Sequence, residues 1–268
     1  MKYRELGSTG EMIPEIGLGT WKYQGGSEPL RKGIELGAYL IDTAEMYKTE
    51  NAVGVAIKDH RDKVFLATKV LGSNLRYDEV LKAAEKSLRL LEQDVIDLYQ
   101  IHWSNRSVPI SETMGAMEEL VERGMIRYIG VSNFSVEEMR EAQHVMSKNP
   151  LVSNQVLYNL KRREIERDLI PYCVDNNITV IAYTPLADGS LSAKSNYRSD
   201  KGAKVLKQIA QDIGKTQAQV ALNWCLSQAN LIVIPKSNSV KRTIENCAAS
   251  GWYLNSRQVT ALNEVYPC

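Results

Sequence analysis

Little in this chain ties it to a metal, a disulfide framework, a membrane or a polyanion. It has three histidines and four cysteines in 268 residues. Cys173, Cys225, Cys247 and Cys268 form no C-x-x-C pair, so no zinc motif is present. Each reads as an inert core or tail thiol in a reduced compartment. There is no run of about 18 apolar residues, which excludes a membrane-spanning helix. The opening Met1-Lys2-Tyr3-Arg4-Glu5-Leu6 lacks the apolar stretch of a secretory leader, and the expected location is the cytoplasm. The formal net charge is +1, so nothing argues for nucleic acid or an anionic bilayer as partner. The third glycine of a dinucleotide fingerprint is also missing, because Gly17-Leu18-Gly19 continues as Thr20-Trp21-Lys22. That speaks against a doubly wound sheet.

What is present is alternation. Short apolar runs and helical patterns follow one another, with Asn-, Ser- and Gly-rich turns between them. Strands are expected at 16–18, 39–42, 64–68, 95–101, 126–131, 151–155, 179–183 and 231–234. Helices are expected at 31–36, 50–58, 78–91, 110–123, 136–146, 163–176 and 201–213. Ser135 with Glu138, and Thr216 with Gln219, have the spacing of a capping box. The helix that Thr216 starts lies beside the 201–213 helix, so the last crossover is longer than the others. Eight strands with crossover helices predict an α/β fold, a (β/α)8 TIM barrel, in one domain over residues 1–268. Residues 3–6 and 12–16, around the turn Gly7-Ser8-Thr9-Gly10, predict a hairpin that caps the barrel bottom.

In such a barrel the reactive groups gather at the C-terminal ends of the strands. Asp42, Lys69, His102, Ser132 with Asn133, Gln155, Tyr183, and Lys236 with Ser237 end seven consecutive expected strands. Tyr47 follows Asp42 by five residues. A phenol with a pKa of about 10 is a poor acid at neutral pH. A nearby ammonium favours the phenolate, and Lys69 is placed to supply one, with Asp42 holding it charged. His102 in a fixed neutral tautomer can donate to a carbonyl. Each residue also has a plainer reading. Asp42 and Lys69 read as a structural ion pair, His102 as a satisfied core histidine, and Tyr47 as an ordinary half-buried ring.

From Pro235 to Arg242 a strand gives way to a helix that is basic and rich in hydroxyls. Free N–H groups at a helix start, with cationic side chains, suit an anion such as a phosphate. Glu245 and Asn246 share a helix face with Arg242. The plainer reading is a solvated helix on which Lys241 and Arg242 are incidental. Tyr183 offers a ring face to a planar nicotinamide. Ser132, Asn133 and Gln155 carry the donors and acceptors a carboxamide needs. Asn154 points to the other side of its strand by alternation. Trp21 and Trp103 suit an apolar pocket wall, whereas Trp224 reads as core.

The chain resembles the aldo-keto reductases almost end to end, and in particular the compact microbial members such as the diketogluconate and aldehyde reductases. The resemblance is carried by Gly17-Leu18-Gly19-Thr20-Trp21, Ile41-Asp42-Thr43-Ala44 with Tyr47 and Glu50, and Thr68-Lys69-Val70. It continues through Asp97 to Trp103, Ile129 to Phe134, Tyr183-Thr184-Pro185-Leu186 and Ile234-Pro235-Lys236-Ser237. It implies Asp42, Tyr47, Lys69 and His102 as a catalytic tetrad with Tyr47 as general acid, and hydride transfer from the pro-R face of the nicotinamide. It implies Ser132, Asn133 and Gln155 on the carboxamide and Tyr183 under the ring. Lys236, Ser237, Arg242, Glu245 and Asn246 would bind the adenosine phosphate, favouring NADP(H). Thr20, Trp21, Asp42, Pro185, Leu186 and Asn238 would complete the cofactor site. Trp21, Met46, Tyr47, His102 and Trp103 would line an open pocket for small aldehydes, keto sugars or 2-oxo compounds, since the segments after His102 and from Ala187 to Lys201 are short. The resemblance implies a monomer without a metal. Three other readings stay open: a reductase-like regulatory subunit with little turnover, a barrel isomerase or aldolase using Lys69 as a Schiff base, and an enzyme working mainly toward alcohol oxidation.

Overall fold

The computed structural model describes residues 1–192 and 200–268. Two short strands, β1 (Tyr3–Glu5) and β2 (Met12–Pro14), form an antiparallel hairpin with Arg4 opposite Ile13. Eight parallel strands follow: β3 (Leu18–Gly19), β4 (Leu40–Asp42), β5 (Phe65–Val70), β6 (Ile96–Ile101), β7 (Ile126–Ser132), β8 (Leu151–Leu157), β9 (Thr179–Tyr183) and β10 (Leu231–Val233). They pair in sequence order. The sheet closes through bridges between Ile16 and Val233 and between Gly19 and Lys236. The Gly17 N–H donates to Val233 O at 2.8 Å, and the Val233 N–H to Glu15 O at 3.0 Å. A Cβ on Gly19 would stand 2.6 Å from Ile234 O, so a glycine there lets first and last strands meet. The result is the expected (β/α)8 barrel.

Every residue of β5 and β6 is buried, as in a parallel strand covered on both faces. Alternation sorts these residues. Leu40, Phe65, Ala67, Leu98, Val152, Ile181 and Ile232 fill the barrel, and Leu6 and Ile13 join them from the hairpin. The Gly7 N–H donates to Oγ1 of Thr179, the first residue of β9, at 2.8 Å. The hairpin therefore seals the N-terminal end, as expected, and leaves the opposite end open. A larger apolar layer, with Trp224, Tyr99 and Phe134 among its bulkiest members, lies between strands and helices.

The helices are α1 (Glu28–Glu35), α2 (Glu50–Ile57), α3 (Tyr77–Leu91), α4 (Ile110–Glu122), α5 (Val136–Val145), α6 (Leu169–Asp175), α7 (Lys201–Asp212), α8 (Gln217–Leu226), α9 (Val240–Cys247) and α10 (Ser256–Val265). Both expected capping boxes form, and Asn255 with Gln258 adds a third. Helices α7 and α8 both lie in the last crossover. Several boundaries differ from expectation. α1 begins earlier, with Pro29 in its first turn, where the missing N–H costs nothing. The 163–176 segment splits into a 3-10 turn (Glu164–Glu166) and α6, because the Asp168 carboxylate caps Leu169 N–H at 2.6 Å and starts a new helix there. β5 and β8 run two residues further than expected, so Lys69 lies within its strand rather than after it, and Gln155 lies inside its strand rather than at its end. Of the segment between Ala187 and Lys201, residues 193–199 lie outside the described residues. Among the described residues no helix is long and apolar enough to cross a membrane.

Candidate active site

The open end of the barrel is built from strand termini. β4 ends on Asp42, and a 3-10 turn (Glu45–Tyr47) brings Tyr47 back over the mouth. Thr20 Oγ1 donates to Asp42 O at 2.9 Å and meets Thr49 Oγ1 at 3.1 Å, which in turn meets Thr43 Oγ1 at 2.9 Å. The Glu45 carboxylate accepts from Leu71 N–H at 3.1 Å and Asn74 Nδ2 at 3.0 Å, fastening the turn to the loop after β5. Lys48 ends the turn in the left-handed region, with φ 57°.

Lys69 is fully buried beneath this turn. Its Nζ donates to Asp42 Oδ1 at 2.7 Å and Oδ2 at 2.8 Å, to Thr43 O at 2.8 Å, and at 3.5 Å to the Tyr47 hydroxyl. Acceptors on every side mark the group as an ammonium, which has three donors and no lone pair. Burial pulls its pKa below the usual lysine value, and Asp42 pulls it back.

The expectation that Lys69 lowers the Tyr47 pKa is not met in the free protein. Burial pushes the phenol well above its ordinary value, and the charge of Asp42 and the nearby Tyr183 push it further. The physical reason is that the ammonium is 3.5 Å away and already matched by Asp42. Tyr47 therefore keeps its proton.

His102 follows β6 and is 3% exposed. Its ring stacks on Trp103 with centroids 3.8 Å apart and meets the edge of Tyr47 at 5.4 Å. Burial, with Lys69 adding to it, pushes its pKa down to about 3, so the imidazole is neutral. Nδ1 is buried without a partner, which leaves Nε2 to face the cleft. Trp21 packs on Tyr47 at 4.9 Å. Trp21 and Trp103 are both largely exposed, and Met46 is half-buried beside Tyr47.

The remaining rim residues divide into two groups. Ser132 donates to Gln155 O at 2.8 Å. Asn133, with φ 60°, donates to His102 O and to Ser132 Oγ, both at 3.1 Å, and accepts from the Tyr183 hydroxyl at 2.9 Å. Gln155 Nε2 donates to Asp42 Oδ2 at 2.8 Å. These three side chains already hold one another and the floor of the site. Asn154 turns outward to Phe134 O and Met139. Thr20 is buried against Asp42 O and Thr49. Pro185 and Leu186 follow Tyr183, where Thr184 takes φ 52° and bends the chain.

On the other side, the side chains of Lys236 and Arg242 are exposed and take part in no ion pair or hydrogen bond among the described residues. Ser239 stands at the start of α9 without a side-chain cap, leaving its first-turn N–H groups open. Ser237 Oγ meets Ser239 N and O, and Asn238 Oδ1 accepts from Gln24 N–H at 3.0 Å. Asn246 is buried, and Glu245 accepts through its carbonyl from Gln219.

A sequence model of the Aldo/keto reductase family matches residues 15–267. The chain belongs to this family. It is 38% identical to methylglyoxal reductase YeaE of Escherichia coli (strain K12) over 95% of this chain and 92% of the relative. It is 36% identical to glyoxal reductase of Bacillus subtilis (strain 168), over 95% of this chain and 91% of that one. An aldo-keto reductase from Klebsiella pneumoniae, solved in complex with NADPH, superimposes with a TM-score of 0.90 at 36% identity, covering 99% of this chain and 95% of that one.

Two residues of this reductase's site were not anticipated. Glu45 looks like any surface carboxylate in a loop. Gln100 lies in an apolar strand, where Leu98, Gln100 and His102 share the inward face by alternation. An amide two residues from Leu98 and from His102 on the inward face was the available signal. A surface cavity of about 320 Å³ lies elsewhere, lined by Ser8, Gln143, Ser147, Asn149 and Asn177 near the barrel bottom. Its lining has no carboxylate, histidine or thiol.

Proposed function

We propose that this reductase uses NADPH to reduce small aldehydes and ketones, with 2-oxo aldehydes such as methylglyoxal foremost, and that Tyr47 donates the proton. The observation that carries the reading is the buried chain Asp42–Lys69–Tyr47 with neutral His102 beside it. The residues present fit the cofactor. Lys236 and Arg242 are exposed cations without counter-ions beside open helix N–H groups, which suits a phosphate. The Tyr183 ring is half-exposed and its hydroxyl is anchored on Asn133, so it offers a fixed face. Asn133 Oδ1 keeps a second lone pair as an acceptor for an amide N–H.

When bound, NADPH supplies the hydride to the carbonyl carbon. The chain's own residues handle the oxygen. His102, neutral above about pH 3, donates through Nε2 and orients the carbonyl without taking a formal charge. Tyr47 stays protonated until the oxygen becomes negative, then gives up its proton. Lys69 acts at that moment, since an ammonium 3.5 Å from the phenol oxygen stabilises the charge that develops there. The interaction is thus stronger in the transition state than in the ground state, as catalysis requires. Asp42 keeps Lys69 charged and aimed. Trp21, Trp103 and Met46 wall a shallow cleft that admits short substrates. All of these groups come from one chain, so a monomer is competent.

The test is consumption of reduced cofactor with NADPH, then NADH, against methylglyoxal, glyceraldehyde, benzaldehyde and a keto sugar. Tyr47→Phe should lower turnover by about 10²–10⁴, the usual worth of a positioned proton donor, while NADPH binding persists. Unchanged turnover in that variant removes Tyr47 as the acid.

A further inference from the structure

Gln100 is a fully buried amide on β6, two residues beyond Leu98, which belongs to the apolar filling of the barrel. Its Nε2 donates to Asp42 Oδ2 at 3.4 Å, and its Oε1 accepts from Gln155 Nε2 at 3.5 Å. Both bonds are long. A buried amide so loosely satisfied costs stability relative to an apolar side chain of the same shape. The barrel also makes room for it. A Cβ on Gly130, the register partner of Gln100 on the neighbouring strand β7, would lie 3.0 Å from Gln100 Cγ and 2.4 Å from Ser153 Oγ. A side chain that weakens packing and has space cleared around it is placed by its contacts, and those contacts lead to Asp42.

We propose that Gln100 is a positioning residue for carbonyl reduction, acting through Asp42 and Gln155. Its amide bridges the two, so that the Asp42 carboxylate presents both oxygens to Lys69 while Gln155 stays turned to Oδ2. Lys69 reaches Tyr47 only at 3.5 Å, the far edge of a hydrogen bond. Any rotation of Asp42 that draws the ammonium down lengthens this contact and weakens stabilisation of the phenolate. Gln100 limits that rotation. The proposal rests on the reading of Asp42, Lys69 and Tyr47 given above.

The test uses Gln100→Met, which keeps length and removes the amide, with Gln100→Leu as a second apolar replacement. Each is compared with the wild-type protein by single-turnover consumption of NADPH with methylglyoxal, which reads the chemical step apart from product release. The expected result is a rate about tenfold lower, equivalent to about 1.4 kcal/mol. The dissociation constant of NADPH should stay within about twofold, and the melting temperature at or above wild type, as for buried polar groups replaced by apolar ones. A wild-type single-turnover rate in a folded variant overturns the proposal. So does a lower rate accompanied by a lower melting temperature in both variants, which is the signature of a structural amide. Tyr47→Phe is run in parallel. If it keeps full turnover, the tetrad reading fails; if it is inactive and Gln100→Met is unimpaired, only this proposal fails.

Discussion

Replacing Lys69 by methionine removes one charge of the buried pair and keeps the length of the side chain. Lys69 and the Asp42 side chain are 0% and 3% exposed, and the closest N–O distance is 2.7 Å. With an effective dielectric constant of about 20, opposite charges at that distance attract by roughly 6 kcal/mol. Asp42 keeps donors from Gln155 at 2.8 Å and Gln100 at 3.4 Å, which offset part of the loss. The expected destabilisation is about 3–5 kcal/mol, the cost of leaving a buried charge without its partner. For a chain of this size that lowers the melting temperature by roughly 10 °C. Scanning calorimetry at neutral pH measures it. The double replacement Asp42→Leu with Lys69→Met should recover most of the lost stability and remain inactive, because the cost lies in the orphaned carboxylate. A Lys69→Met protein that melts with wild type refutes the argument. A double variant no more stable than the single one refutes it equally.

Arg242→Ala should raise the KM for NADPH about tenfold, or about 1.4 kcal/mol, and that for NADH less than about twofold. Added salt should weaken NADPH binding more in the wild type than in this variant, since the lost contact is solvent-exposed. An equal effect on both cofactors would remove Arg242 from the 2′-phosphate. His102 has a native pKa pushed down to about 3 against about 6.5 in the unfolded chain. Its contribution to stability is therefore full above about pH 6.5 and is lost progressively as the pH falls toward 3, because only the unfolded chain takes up the proton. Between pH 7 and 5 this amounts to about 1–2 kcal/mol, and His102→Gln should lack that part of the acid dependence. Urea titrations at the two pH values decide it; identical slopes with pH in both proteins would mean that His102 is not held neutral by the fold.

Much of the barrel is legible from local pattern. Short apolar runs between turn residues mark the strands, and residues 179–183 form β9 with the expected bounds. The capping boxes at Ser135 and Thr216 are legible because they are built from neighbours in the chain. Where a boundary depends on a side chain competing for the backbone, pattern is not enough. Asp168 breaks the 163–176 helix by capping a new start inside it. The site shows the same division. Strand order alone carries Asp42, Lys69, His102 and Tyr183 to one end of the barrel, and the structure brings the first three together with Tyr47. Gln100 is hard to read from the sequence because its contact with Asp42 spans 58 positions.

The sequence by itself determined the order of strands and helices, and hence which polar residues reach the open rim. It could do so because alternation, turn chemistry and capping are properties of neighbouring residues. Only the tertiary structure decided the charge and aim of those residues. Tyr47 keeps its proton although Lys69 is near, His102 is neutral, and Gln155 turns its amide to Asp42, 113 residues away. Those outcomes follow from desolvation and through-space contacts, which come into being only when the barrel closes.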